Sequence, residues 1–247
     1  YWLLLGYTLA EIKDIIMKID VNLLFYDNRY NKNIIDNIFD LNCIINNKKF
    51  REVFEIVTFN KIKRKQITFK ELYDMSGVCL IINAFCYDTE EIEYFSYKTA
   101  PDMNVIDAAL MTISIPILFQ PVIYKGKTYC DPCLKVHIDF SYFFKDIHNN
   151  DNDNYNDNYN EKQIKDSIEH KYITPSSSPL NDDEKISNLI DYLKGFINVI
   201  LKTSQDYSKY NTIDFTFDLK FYDLDINNDV KNKLILIGYK KTYEYIK

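Results

Sequence analysis

Residues Pro101–Leu134 read PDMNVIDAALMTISIPILFQPVIYKGKTYCDPCL, and the punctuation of this stretch decides the fold. Asn104 is a helix N-cap residue, and Val105, Ala108, Ala109 and Thr112 recur behind it at helical spacing. Pro116 and Pro121 exclude a continuing helix, because proline lacks an N–H and its ring clashes with the preceding turn. Between them Ile115, Ile117, Leu118 and Phe119 form an apolar knot. Val122–Tyr124 and Thr128–Cys130 flank Lys125-Gly126 as the two arms of a hairpin. Asp131 follows at once. A carboxylate leaving a short strand is either a catalytic group held rigidly or a residue that ends the strand at the surface, and spacing leaves both open.

Upstream, Thr68-Phe69-Lys70-Glu71 is a capping box, with threonine at the N-cap and glutamate at N3, opening a helix that ends at Ser76-Gly77. Val78–Ala84, VCLIINA, is apolar except for Asn83 and predicts a buried strand of a largely parallel sheet. Helix followed by strand indicates an α/β architecture. Glu93–Tyr97 reads as a more exposed strand. Thr8 and Glu11 form a second capping box, before a helix with Ile12, Ile15, Ile16 and Ile19 on its apolar face. Gly6 suits a helix C′ position, so the first residues read as a helix end. Residues 20–67 are rich in Asn, Ile and Lys, with short helices expected around Lys32–Phe39 and Lys48–Ile56. The basic run Lys61–Lys65 is a solvated face or a contact for anionic lipid.

Downstream, residues 146–183 are low in complexity, with an Asn/Asp/Tyr tract and then a Pro/Ser-rich one. Neither can bury enough surface to offset the entropy of ordering it, so the stretch reads as a disordered insertion within one domain spanning 1–247. Glu184–Thr203 has a broad apolar helical face, Thr212–Leu219 alternates as a strand, and a last helix capped by Asn228 offers Val230, Leu234, Ile237 and Tyr245 to the core.

The 247 residues are enough for one large α/β unit, and 47% hydrophobic content supplies a core. A formal charge of −6, with the aromatics among apolar rather than basic runs, excludes an electrostatic case for nucleic acid. No apolar run approaches the length of a membrane span, and Trp2–Leu5 lacks the basic flank and cleavage site of a signal peptide. The odd number of cysteines, five, fits a reduced, intracellular protein better than a disulfide framework. Cys130 and Cys133 form a lone C-x-x-C, a weak zinc or redox pattern, and the plainer reading is two small, partly buried thiols in a strand end and loop.

Nucleophilic hydrolysis on a strand–turn–helix scaffold uses G-x-S-x-G, and none of the five glycines (6, 77, 126, 195 and 238) brackets a serine in that way. There is no glycine-rich loop to hold an oxyanion or a phosphate. His137, His148 and His170 lie in or beside polar loops with no metal-ligand spacing. By chemistry alone the chain shows one notable carboxylate, Asp131, and no nucleophile motif to go with it.

The segment Ile67–Leu134 resembles the second half of patatin-like phospholipases: a helix and strand, a Tyr-Ser-Tyr strand, a Pro-Asp turn, a helix and loop with Ser-Ile-Pro, and a hairpin ending in aspartate. LLLGYTLAEIKDII is similar to the end of the family's nucleophile helix and the helix after it, and residues 223–247 to its closing helix. The resemblance implies a three-layer α/β fold with a mostly parallel central sheet. It also implies a lipid acyl-ester hydrolase with a Ser–Asp dyad, needing no cofactor and no metal, acting on lipid or phospholipid with peripheral membrane contact. Asp131 takes the general-base position. The nucleophile elbow and the N-terminal strand or strands would precede Tyr1, so the chain reads as part of a longer protein and as inactive alone. Pro132 and Cys133 stand where the family has small residues, and Lys135–Asp139 also depart from its pattern. A proline there cannot supply a positive φ or an N–H. The alternative is a degenerate, non-catalytic relative that binds lipid or a protein partner.

Overall fold

A computed structural model of the protein describes residues 1–25, 43–132, 135, 172–177, 212–217 and 226–246. The chain opens with a turn in which the Tyr7 N–H bonds the Trp2 carbonyl and the Gly6 N–H bonds that of Leu3, the paired pattern that closes a helix, with Gly6 at φ +88°. Helix α1 (Leu9–Lys18) follows, started by the Thr8–Glu11 capping box, and then α2 (Val21–Phe25). Strand β1 (Cys43–Ile45) leads into α3 (Lys48–Ile62), which runs a turn and more beyond the helix expected from the sequence. Helix α3 stops at Lys63, in the left-handed conformation. The N-terminal segment packs on α3: the Tyr7 hydroxyl donates to the Val57 carbonyl at 2.7 Å, and Tyr1 and Thr58 share a hydroxyl bond of 2.7 Å.

Helices α4 (Phe69–Ser76) and α5 (Val105–Thr112) begin side by side. Their cap residues Thr68 and Asn104 form a β-bridge, in which the Phe69 N–H bonds Met103 and the Val105 N–H bonds Ile67. Between the two helices the chain forms β2 (Ile82–Cys86) and β3 (Glu91–Phe95). After α5 come β4 (Ile117–Phe119), β5 (Val122–Tyr124) and β6 (Lys127–Cys130). Beyond these lie β7 (Tyr172–Ser177), β8 (Thr212–Phe217) and the closing helix α6 (Asn228–Ile246).

The four-stranded sheet has the order β3-β2-β6-β5 and is antiparallel throughout. This corrects the mostly parallel central sheet expected from the sequence: among the described residues, parallel pairing occurs only in the two-stranded pairs β1–β4 and β7–β8. The reason is local. β2–β3 and β5–β6 are hairpins with tight turns, and a short turn can only reverse the chain, whereas a parallel pair needs a long crossover. Lys125 and Gly126 both have positive φ, 49° and 79°, the primed turn whose twist matches the strands. The apolar run at Val78–Ala84 is also corrected. Its first residues are not strand, Val78 is exposed, and pairing begins at Ile82.

The main core is built from Ile67, Phe69, Leu72, Val105, Ala108 and Met111 against Ala84, Cys86, Phe95 and Tyr129, with Leu5, Tyr7 and Val57 closing one side. A smaller cluster of Ile45, Leu118 and Phe119 packs with Phe50 around β1 and β4. The basic run lies at the surface as expected, with Lys63, Arg64 and Lys65 exposed, and it makes surface ion pairs: Lys61 with Glu11, Arg64 with Glu71 and Lys65 with Glu55. Helix α6 is capped by Asn227, one residue before the expected cap, because the Asn227 Oδ1 accepts the N–H groups of Asp229 and Val230. Its Lys231 is buried and donates to the Ile19 carbonyl at the end of α1. Within the low-complexity stretch, Tyr172–Ser177 form a strand parallel to β8. The helices expected at Lys32–Phe39 and Glu184–Thr203 lie outside the described residues. No helix among the described residues is long and apolar enough to cross a membrane.

Candidate active site

Asp131 is the first residue after β6, at the point where that strand leaves its pairing with β2. Its peptide N–H donates to the Ser114 carbonyl at 2.9 Å, so the strand end is tied to the loop that follows α5. The residue is half-buried, and Pro132 beside it is buried. On the other side Cys130 is buried, and its Sγ lies 3.6 Å from the Asp131 carbonyl. Burial, and then the neighbouring Asp131 carboxylate, push the Cys130 thiol up to about 11. That is the reverse of what a redox or metal-bound thiolate needs. Cys133, His137, His148 and His170 lie outside the described residues, and no group of three His, Cys, Asp or Glu among the described residues could hold a metal ion.

The loop under Asp131 is tightly determined. Helix α5 ends at Ile113, and Pro116 keeps Ile115 out of helical geometry. Ser114 is fully buried; its hydroxyl donates to the Leu110 carbonyl at 2.6 Å and accepts from the Asn47 Nδ2 at 2.9 Å. The same Nδ2 donates to the Gln120 carbonyl, so a single amide grips both ends of the loop. The Gln120 N–H in turn bonds the Ile45 carbonyl at 3.0 Å, extending the β1–β4 pairing. Between the two anchors Ile117 has φ +71°, a left-handed conformation that strains a β-branched side chain. Such a backbone persists only where its surroundings over-determine it.

Asn47 was not legible as a site residue, since an asparagine just before a helix reads as a cap. It does occupy the N-cap of α3, but its side chain makes no capping bond. Its Oδ1 is buried with no hydrogen-bond partner among the described residues. Arg51, one turn along α3, pairs with Asp107 of α5 at 2.6 Å and fixes the two helices beside the loop.

Comparison with known proteins bears on what this arrangement serves. Over 67 residues, 27% of this chain and 23% of the relative, the sequence is 36% identical to a protein of Invertebrate iridescent virus 6 named as a probable lipid hydrolase. Over 228 residues, 88% of this chain and 72% of the relative, it is 25% identical to an uncharacterized protein of Acanthamoeba polyphaga mimivirus. The first match thus spans about a quarter of that relative's length. The sequence model of the patatin-like phospholipase family matches residues 1–131, more than half of the chain, and the match ends on the aspartate described above. The chain belongs to the patatin-like phospholipase family.

Proposed function

We propose that this chain is part of a lipid acyl-ester hydrolase in which Asp131 is the general base of a Ser–Asp dyad. The observation that carries the reading is the place of Asp131. It stands at the end of a strand, half-buried, with its peptide clamped to Ser114, at the last residue of the family match. In the reaction a serine Oγ attacks the ester carbonyl while its proton passes to the Asp131 carboxylate. The tetrahedral oxyanion collapses, the alcohol portion of the lipid leaves with that proton, and water releases the acyl group by the same route in reverse. These residues hold no serine in a G-x-S-x-G context, so the nucleophile and the oxyanion donors must come from further sequence. The residues 1–247 then form a single domain interrupted at 146–183, inactive when separated from that sequence. The substrate is a lipid or phospholipid ester met at a membrane surface, and a Ser–Asp dyad needs no cofactor.

The test is expression of the longest reading frame that contains these residues. Hydrolysis of phospholipid or short-chain esters, labelling by a fluorophosphonate, and loss of hydrolysis in Asp131→Asn are expected. A labelled, active protein whose Asp131→Asn variant keeps full activity removes Asp131 from the mechanism. A second reading, a non-catalytic relative that keeps the fold to bind lipid, is favoured by the buried Pro132, whose fixed φ and missing N–H alter the turn after the aspartate. It predicts a protein with the serine present that binds vesicles but neither labels nor hydrolyses.

A further inference from the structure

We infer that Asn47 is a positioning residue for Asp131, acting through the Ser114–Gln120 loop; the inference rests on the reading of Asp131 as the general base. The links are short and directional. Asn47 donates to the Ser114 hydroxyl at 2.9 Å and to the Gln120 carbonyl, and the Ser114 carbonyl accepts the Asp131 N–H at 2.9 Å. The sense of the amide is dictated by its partners. The only proton of the Ser114 hydroxyl goes to the Leu110 carbonyl, so Ser114 offers Asn47 a lone pair, and the Gln120 carbonyl can only accept. Both contacts therefore need the NH2 group, and an aspartate of the same shape cannot make them.

Two further observations separate this role from ordinary helix capping. Asn47 stands at the N-cap of α3 yet gives no side-chain bond to that helix, while Asn46 takes the Lys48 N–H at 2.6 Å. The side chain instead turns into the core, and the residue is 7% exposed. The loop it grips also contains the strained Ile117, which would relax towards ordinary φ if an end came loose. Ser114, one end of that loop, carries the carbonyl that holds the Asp131 peptide. Release of the Asn47 clamp lets Asp131 shift along with the loop, and a displacement near 1 Å of a reacting group lowers turnover about 100-fold.

The test uses the full-length enzyme carrying Asn47→Leu, which keeps the volume and removes both donors, and Ser114→Ala, which keeps the carbonyl. The expected result is a fall in kcat of about 100-fold with KM within about threefold of wild type, the pattern of a lost transition-state interaction. Adding Ser114→Ala to Asn47→Leu should lower kcat little further, because both act through one clamp. Thr68→Ala, a destabilising change away from the loop, serves as the control for a purely structural effect and keeps kcat. Amide hydrogen exchange at Asp131 should accelerate in Asn47→Leu. Unchanged kcat in Asn47→Leu, or a kcat loss matched by Thr68→Ala, overturns the inference. Should Asn47→Leu not fold, Ser114→Ala carries the same two readouts alone. A wild type without hydrolase activity overturns the functional reading instead. The exchange measurement then still decides the clamp: faster exchange at Asp131 upholds it and unchanged protection refutes it.

Discussion

The Tyr129 hydroxyl on β6 donates to the Glu93 carboxylate on β3 at 2.8 Å, although β2 lies between these two strands. Ala84 and Cys86, the β2 residues paired with Glu93 and Tyr129, are small enough for the phenol to pass over them. Lys127 adds an ion pair to the same carboxylate at 2.9 Å. Three strands are therefore joined above their backbone ladders, and β6 is the strand that carries Asp131.

Tyr129→Phe should destabilise the protein by about 2 kcal/mol, the loss of a hydrogen bond to a charged acceptor beside a buried ring. Urea unfolding of wild type and variant measures it. A midpoint unchanged by the substitution would show that the bond contributes nothing.

Glu93 also sets an acid limit. Burial pushes its carboxyl upward, but the Lys127 and Tyr129 hydrogen bonds outweigh that and hold it below its ordinary value of 4.5. A depressed carboxylate stabilises the fold fully above 4.5 and loses that contribution as pH falls through its folded value. The difference in melting temperature between wild type and Glu93→Gln should accordingly shrink below that pH. A difference that stays constant from neutral pH to about 3 would contradict the linkage.

The paired caps at Thr68 and Asn104 should be coupled. Each alone to Ala costs about 1 kcal/mol. Because the two caps form one bridge with reciprocal backbone bonds, the double variant should depart from the sum of the singles by about 0.5 kcal/mol or more. Chemical denaturation of the four proteins in the cycle gives the coupling, and strict additivity would place the two helix starts as independent.

The thiols should divide by burial. Cys79 is exposed, whereas Cys43, Cys86 and Cys130 are buried. Burial pushes Cys43 and Cys130 up to about 11 from 9.0. A thiol raised in the folded state stabilises it fully below 9.0, and that contribution is lost as pH rises through about 11. Among the four described cysteines, mass-mapped alkylation near neutral pH should therefore modify Cys79 first and spare Cys43, Cys86 and Cys130 until denaturant is added. Fast native labelling of Cys130 would refute the packing around Asp131.

The sequence by itself determined what depends on residues a few positions apart. The caps at Thr8, Thr68 and Asn104, the turn at Lys125-Gly126 and the strand-end position of Asp131 all stand where local rules put them. A capping side chain reaches only the first turn of its own helix, so its signature is complete within four residues. Tertiary structure decided the pairings outside the hairpins, β1 with β4, β2 with β6 and β7 with β8. VCLIINA carries the apolar signature of a parallel strand, but its short turn to β3 and the arrival of β6 make its neighbours antiparallel. The clamp under Asp131 was equally invisible, because Asn47 reaches Ser114 and Gln120 across 67 and 73 residues of chain. An asparagine before a helix has a local partner available, and only the packing of α3 against the end of α5 turns its amide away from that partner and onto the loop that holds the aspartate.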